Sequence, residues 1–310
     1  MPIPYMGSKQ KSAGKIYQAI KNQNPESKVL VDLFCGGFAI SEYFYRNGWN
    51  IVANDKNKYV VALADQVINK GLDEKKCLEF VTRETFFKVL KNPEKYDDWY
   101  VGFVSCIWSF GNSQKGYLFG KDVEKYKKAG HELVVNCNSD LIVKLVSDFP
   151  KKYIDGITKQ ENWHLRRIAL RKVTKILATR IFELEQLERL ERLERLEQLE
   201  RLERLERLEL TSCDYRDVMI PECAVIYCDP PYQGTTEYAE GSFNHTEFWQ
   251  WVREKSITYK VYVSEYTAPD DFVSILEFEQ KSTLQGGQQK HNNQPKEKLF
   301  VYANKKDKLD

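Results

Sequence analysis

The tetrapeptide Asp229-Pro230-Pro231-Tyr232 combines three groups that could do chemistry together. Consecutive prolines fix the backbone and leave a main-chain carbonyl without a matching N–H donor. A carboxylate, a carbonyl and an aromatic ring are thus presented in a small space. This set suits a flat ring that bears an amino group. The ring would stack on Tyr232, and Asp229 and the carbonyl of Pro230 would accept the two amine hydrogens.

A second group of candidate binding residues forms the run Asp32-Leu33-Phe34-Cys35-Gly36-Gly37-Phe38. Paired glycines let a ligand approach the backbone closely, and the helix that should follow offers free N–H groups. Asp55 comes about twenty residues later, where a carboxylate typically binds ribose hydroxyls. Because a full Gly-x-Gly-x-x-Gly is missing, the pattern fits a single nucleoside better than a dinucleotide.

Both motifs need a parallel sheet to position them. Residues 29–34 are short, apolar and partly β-branched, which predicts a buried strand. A helix is predicted over 38–47 and a second strand over 51–53, so the chain opens as a doubly wound sheet. Further strands are predicted over residues 224–228, 259–264 and 298–303. Since ligands bind at the carboxyl ends of such strands, the tetrapeptide after residue 228 lies where a site is expected.

Composition limits the class of protein but does not decide its function. The 310 residues include 47 Lys plus Arg and 45 Asp plus Glu, a formal charge of +2, which excludes a histone-like polycation. With 42% apolar and 30% charged residues, the chain is typical of a globular protein. No apolar run approaches the roughly 18 residues that span a bilayer. Seven cysteines without a Cys-x-x-Cys pair predict reduced thiols, no structural metal and a cytoplasmic location.

A tripeptide repeat occupies residues 184–210, with leucine at every third position. Its nine glutamates and six arginines give the repeat a formal charge of −3. Because the whole chain carries +2, the rest of the chain carries +5. Glu precedes Arg or Gln by four residues, and these residue types favour a helix. A period of 3.0 makes the leucines drift around that helix, which disfavours a coiled coil. We expect a spacer or strut with a variable number of units.

The stretch from residue 62 to residue 183 is predicted to be a mainly helical insert. Aromatic residues, glycines and lysines alternate near its middle. This pattern fits a loop that contacts a polyanion and its bases through Lys115, Tyr117 and Lys121, or a surface loop with a few core aromatics. Arg166 and Arg167 belong to a basic stripe that could contact a phosphate backbone or form a solvated helix face.

Taken together, these motifs resemble the adenine-N6-specific DNA methyltransferases of the Dam-like (D12) class. The resemblance covers both ends of the chain and is weak in the middle. The run Pro4-Tyr5-Met6-Gly7-Ser8-Lys9 matches the N-terminal cofactor motif of that family, and residues 32–38 match its glycine motif. Phe38 stands where the family often has a third glycine. Asp229 to Tyr232 match the catalytic motif.

Site residues follow from the resemblance. Asp214, in Cys213-Asp214-Tyr215, matches a short acidic motif that reads the cofactor's adenine amine, and Ser264-Glu265-Tyr266 looks like the later motif that shapes the target-base pocket. The implied catalytic residues are Asp229, Pro230, Pro231 and Tyr232. The implied contacts to S-adenosylmethionine are Tyr5, Gly7, Ser8, Lys9, Asp32, Phe34, Gly36, Gly37, Asp55, Asp214 and Asp229.

The resemblance implies a Rossmann-like α/β methyltransferase sheet with a helical target-recognition insert. We expect a cofactor half over residues 1–61, the insert over 62–183, the repeat helix over 184–210 and the catalytic half over 211–310. The expected partner is double-stranded DNA, with a flipped-out adenine as the methyl acceptor. A monomer that needs no metal and acts in a restriction-modification or phage setting is expected.

Alternatives of two kinds stay open at this stage, namely an enzyme with another amino target and a protein of another class. Cytosine-N4 methyltransferases use a related motif that more often begins with Ser, and protein-glutamine methyltransferases favour Asn at that position, so Asp229 favours adenine. A DNA-binding or scaffold protein could instead keep the fold and act through the repeat. Intact Lys9, Asp55 and Asp229 argue against lost catalysis.

Overall fold

The computed structural model describes residues 3–146, 149–177, 190–200, 202–205, 208–232, 243–278 and 296–303. The chain divides into two compact units. The first unit joins Met1–Lys70 to Arg201–Asp310, and the second is Gly71–Glu200. The second unit therefore starts later than the insert predicted from residue 62, and it includes the first described part of the repeat.

The first unit is built on a sheet of seven strands among its described residues. The strands are β1 (Val29–Asp32), β2 (Asn50–Asn54), β3 (Leu208–Thr211), β4 (Val225–Cys228), β5 (Lys260–Glu265), β6 (Phe272–Phe278) and β7 (Glu297–Tyr302). Their order across the sheet is β3-β2-β1-β4-β5-β7-β6. The neighbours from β3 to β5 pair in parallel, whereas β7 pairs antiparallel with β5 and β6.

The predicted strands are confirmed, and their burial explains why they were recognisable. All four residues of β4 are buried, as are three of the four in β1. Parallel strands covered on both faces read as continuous apolar runs, which is the pattern that predicted them. Strands β3 and β6 were not predicted, since β6 alternates poorly and β3 begins within the repeat.

Helices connect the strands of the first unit and form most of the second. They are α1 (Ala13–Gln23), α2 (Ala39–Arg46), α3 (Lys58–Asp65), α4 (Glu74–Cys77), α5 (Arg83–Lys91), α6 (Asp98–Ile107), α7 (Lys121–Val135), α8 (Asp140–Leu145), α9 (Lys151–Thr158), α10 (Trp163–Leu177), α11 (Glu191–Leu199) and α12 (His245–Lys255). Among the described residues, none of the helices is long and apolar enough to span a bilayer.

Side-chain caps explain where several helices begin. The side chain of Asn57 accepts from the N–H of Tyr59 at the start of α3, and Asn244 does the same for Glu247 in α12. Thr82 caps α5 by accepting from Thr85. Each cap satisfies an N–H that lacks an intrahelical partner, typically with about 1 kcal/mol of stabilisation. The cap of α3 lies two residues after Asp55 and so fixes the chain just beyond that carboxylate.

The repeat differs from the single helix expected over residues 184–210. Residues 184–189 lie outside the described part of the chain. Residues 191–199 form α11 as expected, but a 3-10 turn follows at Leu202–Arg204, and the last unit enters β3. Leu208–Thr211 pairs in parallel with β2, so sheet pairing overrides the helix propensity of the repeat there.

Candidate active site

Lys9 and Asp229 meet at the carboxyl end of β4, although 220 residues separate them along the chain. Nζ of Lys9 lies 2.7 Å from Oδ2 of Asp229 and 3.1 Å from Oε1 of Glu297. It also donates to the carbonyl of Gly7 at 3.2 Å. The side chains of Lys9, Glu297 and Asp229 are 4%, 0% and 17% exposed, so Lys9 and Glu297 are buried while Asp229 is partly open to solvent. Buried charges of this kind persist because they are paired.

Tyr232 closes the cluster from the other side of Asp229. Its hydroxyl donates to Oδ1 of Asp229 at 2.9 Å and also contacts Oε1 of Glu297. The ammonium of Lys9 lies 4.9 Å from the centre of the Tyr232 ring, and the ring of Tyr266 meets it edge-on at 4.9 Å. Two of the four residues of the catalytic motif are thus held by a lysine from the N-terminal motif and a glutamate from β7.

The electrostatics of the cluster fix the protonation of its members. Burial would lower the pKa of Lys9, but Asp229 and Glu297 outweigh burial and raise it. Burial raises the pKa of Glu297; Lys9 opposes that rise and Asp229 adds to it. Burial, Asp229 and Glu297 also raise the pKa of Tyr232 well above its usual value. Lys9 therefore stays an ammonium, and Tyr232 stays a hydrogen-bond donor.

The glycine loop after β1 orients the predicted ribose-binding carboxylate. The N–H of Gly36 donates to Oδ2 of Asp55 at 2.8 Å, and the N–H of Asn57 donates to Oδ1 at 2.9 Å. Gly36 has φ +45, and a Cβ there would lie 2.8 Å from the ring of Tyr5. The sequence therefore needs glycine at this position, because the N-terminal motif packs directly against the loop.

Phe38 takes the left-handed conformation, with φ 63, immediately before α2. A non-glycine residue rarely adopts it, which accounts for the third glycine that the D12 pattern often has there. The Phe38 side chain is fully buried. Burial of the ring offsets the backbone cost, so the loop keeps the turn that a glycine would favour.

Asn54 ties together the ends of three strands beside Asp55. Its amide nitrogen donates to the carbonyls of Leu33 at 3.1 Å and Cys213 at 3.2 Å. Its amide oxygen accepts from the hydroxyl of Thr211 at 2.9 Å and the N–H of Cys213 at 3.1 Å. Both ends of the buried amide are satisfied, so Asn54 holds the neighbours of Asp55 and of Asp214 in register.

Asp32 lies beneath this loop and not on its surface. Its side chain is buried, and Oδ2 accepts from the hydroxyl of Ser41 at 2.6 Å. Burial raises the pKa of Asp32 to about 7, the Ser41 hydrogen bond opposes this, and the charges of Asp229 and Asp55 add to it. The three carboxyl groups therefore interact electrostatically across the carboxyl ends of β1, β2 and β4.

Asp214, predicted to bind the cofactor's adenine amine, forms an ion pair with Arg216. Nε of Arg216 donates to Oδ1 at 2.7 Å and Nη2 donates to Oδ2 at 3.0 Å. Hydrogen bonds from Arg216 lower the pKa of Asp214. Arg216 also contacts Glu247 in α12. Nearby, the ring of Phe34 packs 5.6 Å from that of Tyr215, giving this end of the site an aromatic wall.

A model of the D12 class of N6 adenine-specific DNA methyltransferases matches residues 5–267. The chain belongs to this family. It is therefore an enzyme that methylates adenine in DNA. No curated protein matches the chain.

The methyltransferase brings its three outer motifs together around Asp229. The N-terminal motif supplies Lys9, and the motif after β5 supplies Tyr266, whose ring contacts Tyr232. Behind them, the hydroxyls of Tyr227 and Ser264 form a buried hydrogen bond of 2.8 Å. This hydrogen bond joins the carboxyl ends of β4 and β5 beneath Asp229.

The predicted DNA-binding residues of the methyltransferase separate into two sets. Lys115 and Lys121 are exposed. Tyr117 is buried, and its hydroxyl donates to the carbonyl of Val81 at 2.8 Å, which supports the core-aromatic alternative for that residue. Arg166 donates to the carbonyl of Val134 at 2.6 Å, and Arg167 pairs with glutamates of α11. These three side chains are committed to packing within the second unit.

Sequence reasoning missed Glu297 and Asn54. Glu297 lies 65 residues beyond Tyr232 and begins a strand that pairs antiparallel with β5. No spacing rule connects it to the catalytic motif, although a lone glutamate before an apolar strand was a usable signal. Asn54 directly follows the predicted strand over 51–53 and was not assigned a role there. Its direct position before Asp55 could have suggested that it supports that carboxylate.

Proposed function

We propose that the methyltransferase uses S-adenosylmethionine to methylate N6 of an adenine flipped out of double-stranded DNA. The cluster of Lys9, Asp229 and Tyr232 at the end of β4, beside the glycine loop, is the observation on which the proposal rests. It offers a fixed carboxylate next to a loop suited to a nucleoside. Its cytoplasmic location and monomeric state stay predictions.

The residues around the glycine loop fit this cofactor by their chemistry. Asp55 is held by two backbone N–H groups, in an orientation that suits a carboxylate for ribose hydroxyls. Asp214 and the ring of Phe34 suit an adenine with its amine. The carboxylates of Asp55 and Asp229 favour a sulfonium cation nearby, since opposite charges attract.

Asp229 and Pro230 would orient the target amine. The exocyclic nitrogen of adenine is a poor nucleophile, because its lone pair is delocalised into the ring. When both of its hydrogens are accepted, by the Asp229 carboxylate and the Pro230 carbonyl, the nitrogen is drawn toward a tetrahedral geometry. Such positioning and electrostatic stabilisation each contribute several kcal/mol by general precedent. Bound S-adenosylmethionine would supply the methyl group and leave as the neutral thioether S-adenosylhomocysteine, and the methylated nitrogen would then release one of its two protons.

Lys9, Tyr232 and Glu297 keep Asp229 in the orientation this role needs. Lys9 holds one carboxylate oxygen and the Tyr232 hydroxyl holds the other. Glu297 contacts both Lys9 and Tyr232, so it preserves their positions. The Tyr232 ring would stack on the flipped base, which offsets part of a flipping cost of a few kcal/mol.

DNA contact in the second unit is proposed for the loop that contains Lys115. Lys115 and Lys121 are exposed, and Phe110, in the same segment, is 61% exposed. Exposed cations with an accessible aromatic ring suit phosphates and bases. Arg166 and Arg167 are left out of this proposal, because their guanidinium groups are engaged within the unit.

The proposal is tested by measuring the two ligands separately. Calorimetry of the purified protein should show saturable binding of S-adenosylmethionine, and the labelled methyl group should then appear in duplex DNA. Methylation of DNA without detectable binding of this cofactor would reject the cofactor assignment. Binding of the cofactor with no label in any DNA would reject the proposed reaction.

A further inference from the structure

Residues 190–200 of the repeat are packed into the second unit and not solvated as a spacer. Leu190, Leu193, Leu196 and Leu199 are 6%, 1%, 1% and 0% exposed. Successive leucines three residues apart step around a helix by about 60°, so these four sweep about half of its circumference. Burial of all four means that protein surrounds this half of α11.

Ion pairs fix α11 against α10 as well. Arg167 pairs with Glu194 at 3.3 Å and with Glu197 at 2.6 Å. The ring of His164 lies 3.1 Å from Glu197 and 3.4 Å from Glu200. Glu194, Glu197 and Glu200 thus face α10, whereas Arg192 and Arg195 contact other parts of the unit.

Arg195 contacts the end of α6. Its Nη1 donates to the carbonyl of Ile107 at 2.8 Å and to that of Ser109 at 2.7 Å, with Cys106 further away at 3.4 Å. The last carbonyls of a helix lack intrahelical donors and form the negative end of its dipole. The guanidinium therefore caps α6 and holds the chain where it leaves the helix.

Arg192 contacts the same region from another side. It is 2% exposed, and its Nη2 donates to the carbonyls of Cys77 at 2.7 Å and Glu79 at 2.8 Å. Its guanidinium carbon lies 4.8 Å from the centre of the Trp108 ring. Stacking of this kind restrains Trp108, which directly precedes Ser109. Two consecutive repeat units thus hold one short segment of chain.

That segment is the base of the exposed loop. The N–H of Leu118 donates to the carbonyl of Trp108 at 2.7 Å, and the N–H of Phe110 donates to that of Gly116 at 2.8 Å. Ser109 forms an isolated antiparallel bridge with Tyr117. The loop is therefore a short hairpin whose base is buried, while Phe110 and Lys115 are exposed.

We propose that Arg192 and Arg195 are positioning residues for target recognition, and that these repeat units form the support of the recognition loop. The inference rests on the proposed contact between this loop and DNA. It gives the tripeptide array a role beyond that of a strut. The guanidinium groups fix the base of the hairpin, so the exposed tip keeps one orientation toward the substrate.

The test compares Arg195→Met with Gln198→Met. Gln198 holds the same place in the next repeat unit, and its side chain makes no hydrogen bond within the described residues. For Arg195→Met we expect kcat/KM on DNA to fall about tenfold, within the range of indirect positioning effects. Amide exchange of Phe110 and Leu118 should accelerate, while S-adenosylmethionine affinity should be unchanged. Gln198→Met should behave as the unaltered protein.

Unchanged kcat/KM and unchanged exchange in Arg195→Met would overturn the inference. If that variant does not fold, Arg195→Lys, which keeps the charge but loses the fork of donors, is judged by the same two readouts. Lys115→Ala with Phe110→Ala separates the two proposals. If this double variant methylates DNA normally, the loop has no DNA role. If DNA methylation is impaired in this double variant but not in Arg195→Met, the loop contributes to DNA binding but Arg195 does not position the loop.

Discussion

Nζ of Lys9 lies 2.7 Å from Oδ2 of Asp229, which joins the N-terminal motif and the catalytic motif of the methyltransferase in one largely buried ion pair. Breaking such a pair leaves an uncompensated charge and typically costs about 3–5 kcal/mol. Here Glu297 supplies a second carboxylate, which also pairs with Lys9. Lys9 is therefore paired with two carboxylates, and the proposed orientation of Asp229 depends on this shared pairing.

The first prediction concerns that second carboxylate. Glu297→Gln keeps the size of the side chain but removes its charge, so Lys9 would depend on Asp229 alone. We expect kcat to fall by about tenfold to a hundredfold, since small misplacements of reacting groups have effects of this size. The cofactor Kd should change little. Steady-state kinetics with saturating DNA measures the effect.

Glu277→Gln is the matched control for Glu297→Gln. Glu277 lies in β6, is 48% exposed, and pairs with Lys298 at 3.3 Å. A surface pair of this kind contributes little. The kcat of Glu277→Gln should therefore equal that of the unaltered protein. An unaltered kcat in Glu297→Gln would contradict the role given to Glu297.

The second prediction concerns the pH dependence of stability. Burial raises the pKa of Asp32 to about 7, so the folded state holds a proton that the unfolded state has lost. Between about pH 4 and pH 7 the folded protein binds more protons, and its free energy of unfolding falls as pH rises. Asp32→Asn should remove this decline, with a difference of a few kcal/mol at most.

Urea unfolding of both proteins at several pH values measures the Asp32 effect. Asp65→Asn is a control of opposite sign, because hydrogen bonds from Lys70 and Asn69 lower the pKa of Asp65. The stability Asp65 contributes is present above its unfolded pKa and is lost as pH falls. Parallel stability profiles of unaltered protein and Asp32→Asn would refute the assignment.

The third prediction concerns the cofactor half of the site. Asp55→Ala removes the carboxylate that Gly36 and Asn57 orient toward the proposed ribose. Loss of charge-assisted hydrogen bonds should weaken S-adenosylmethionine binding by about tenfold or more. Calorimetric titration gives the Kd. Asp270→Ala, at an exposed turn, serves as control, and equal affinities in the two variants would argue against a ribose contact.

The sheet and its loops could be predicted because their signals are local. The apolar runs of β1, β2 and β4 each end at a predicted site residue, and parallel pairing brings those ends to one edge of the sheet. Asp55 and Asp229 could be placed for this reason. Lys9 was assigned to the cofactor by resemblance, whereas its ion pair with Asp229 depends on tertiary packing that no spacing in the chain reveals.

The roles of the basic residues in the second unit could not be predicted from the sequence, because their charges are paired with glutamates of other helices. Arg167 belongs to a basic stripe in the sequence, but the fold places Glu194 and Glu197 against it. The repeat was interpreted by its own propensities, which describe α11 correctly. They fail at β3, where pairing with β2 supplies hydrogen bonds that a helix would otherwise make internally.

The most direct test of the central claim is transfer of a labelled methyl group from S-adenosylmethionine to duplex DNA, followed by digestion to nucleosides. The account predicts label in N6-methyladenine with the unaltered protein, and a fall of about a thousandfold with Asp229→Ala while cofactor binding is largely retained. Label in N4-methylcytosine, or unchanged transfer by Asp229→Ala, would contradict it.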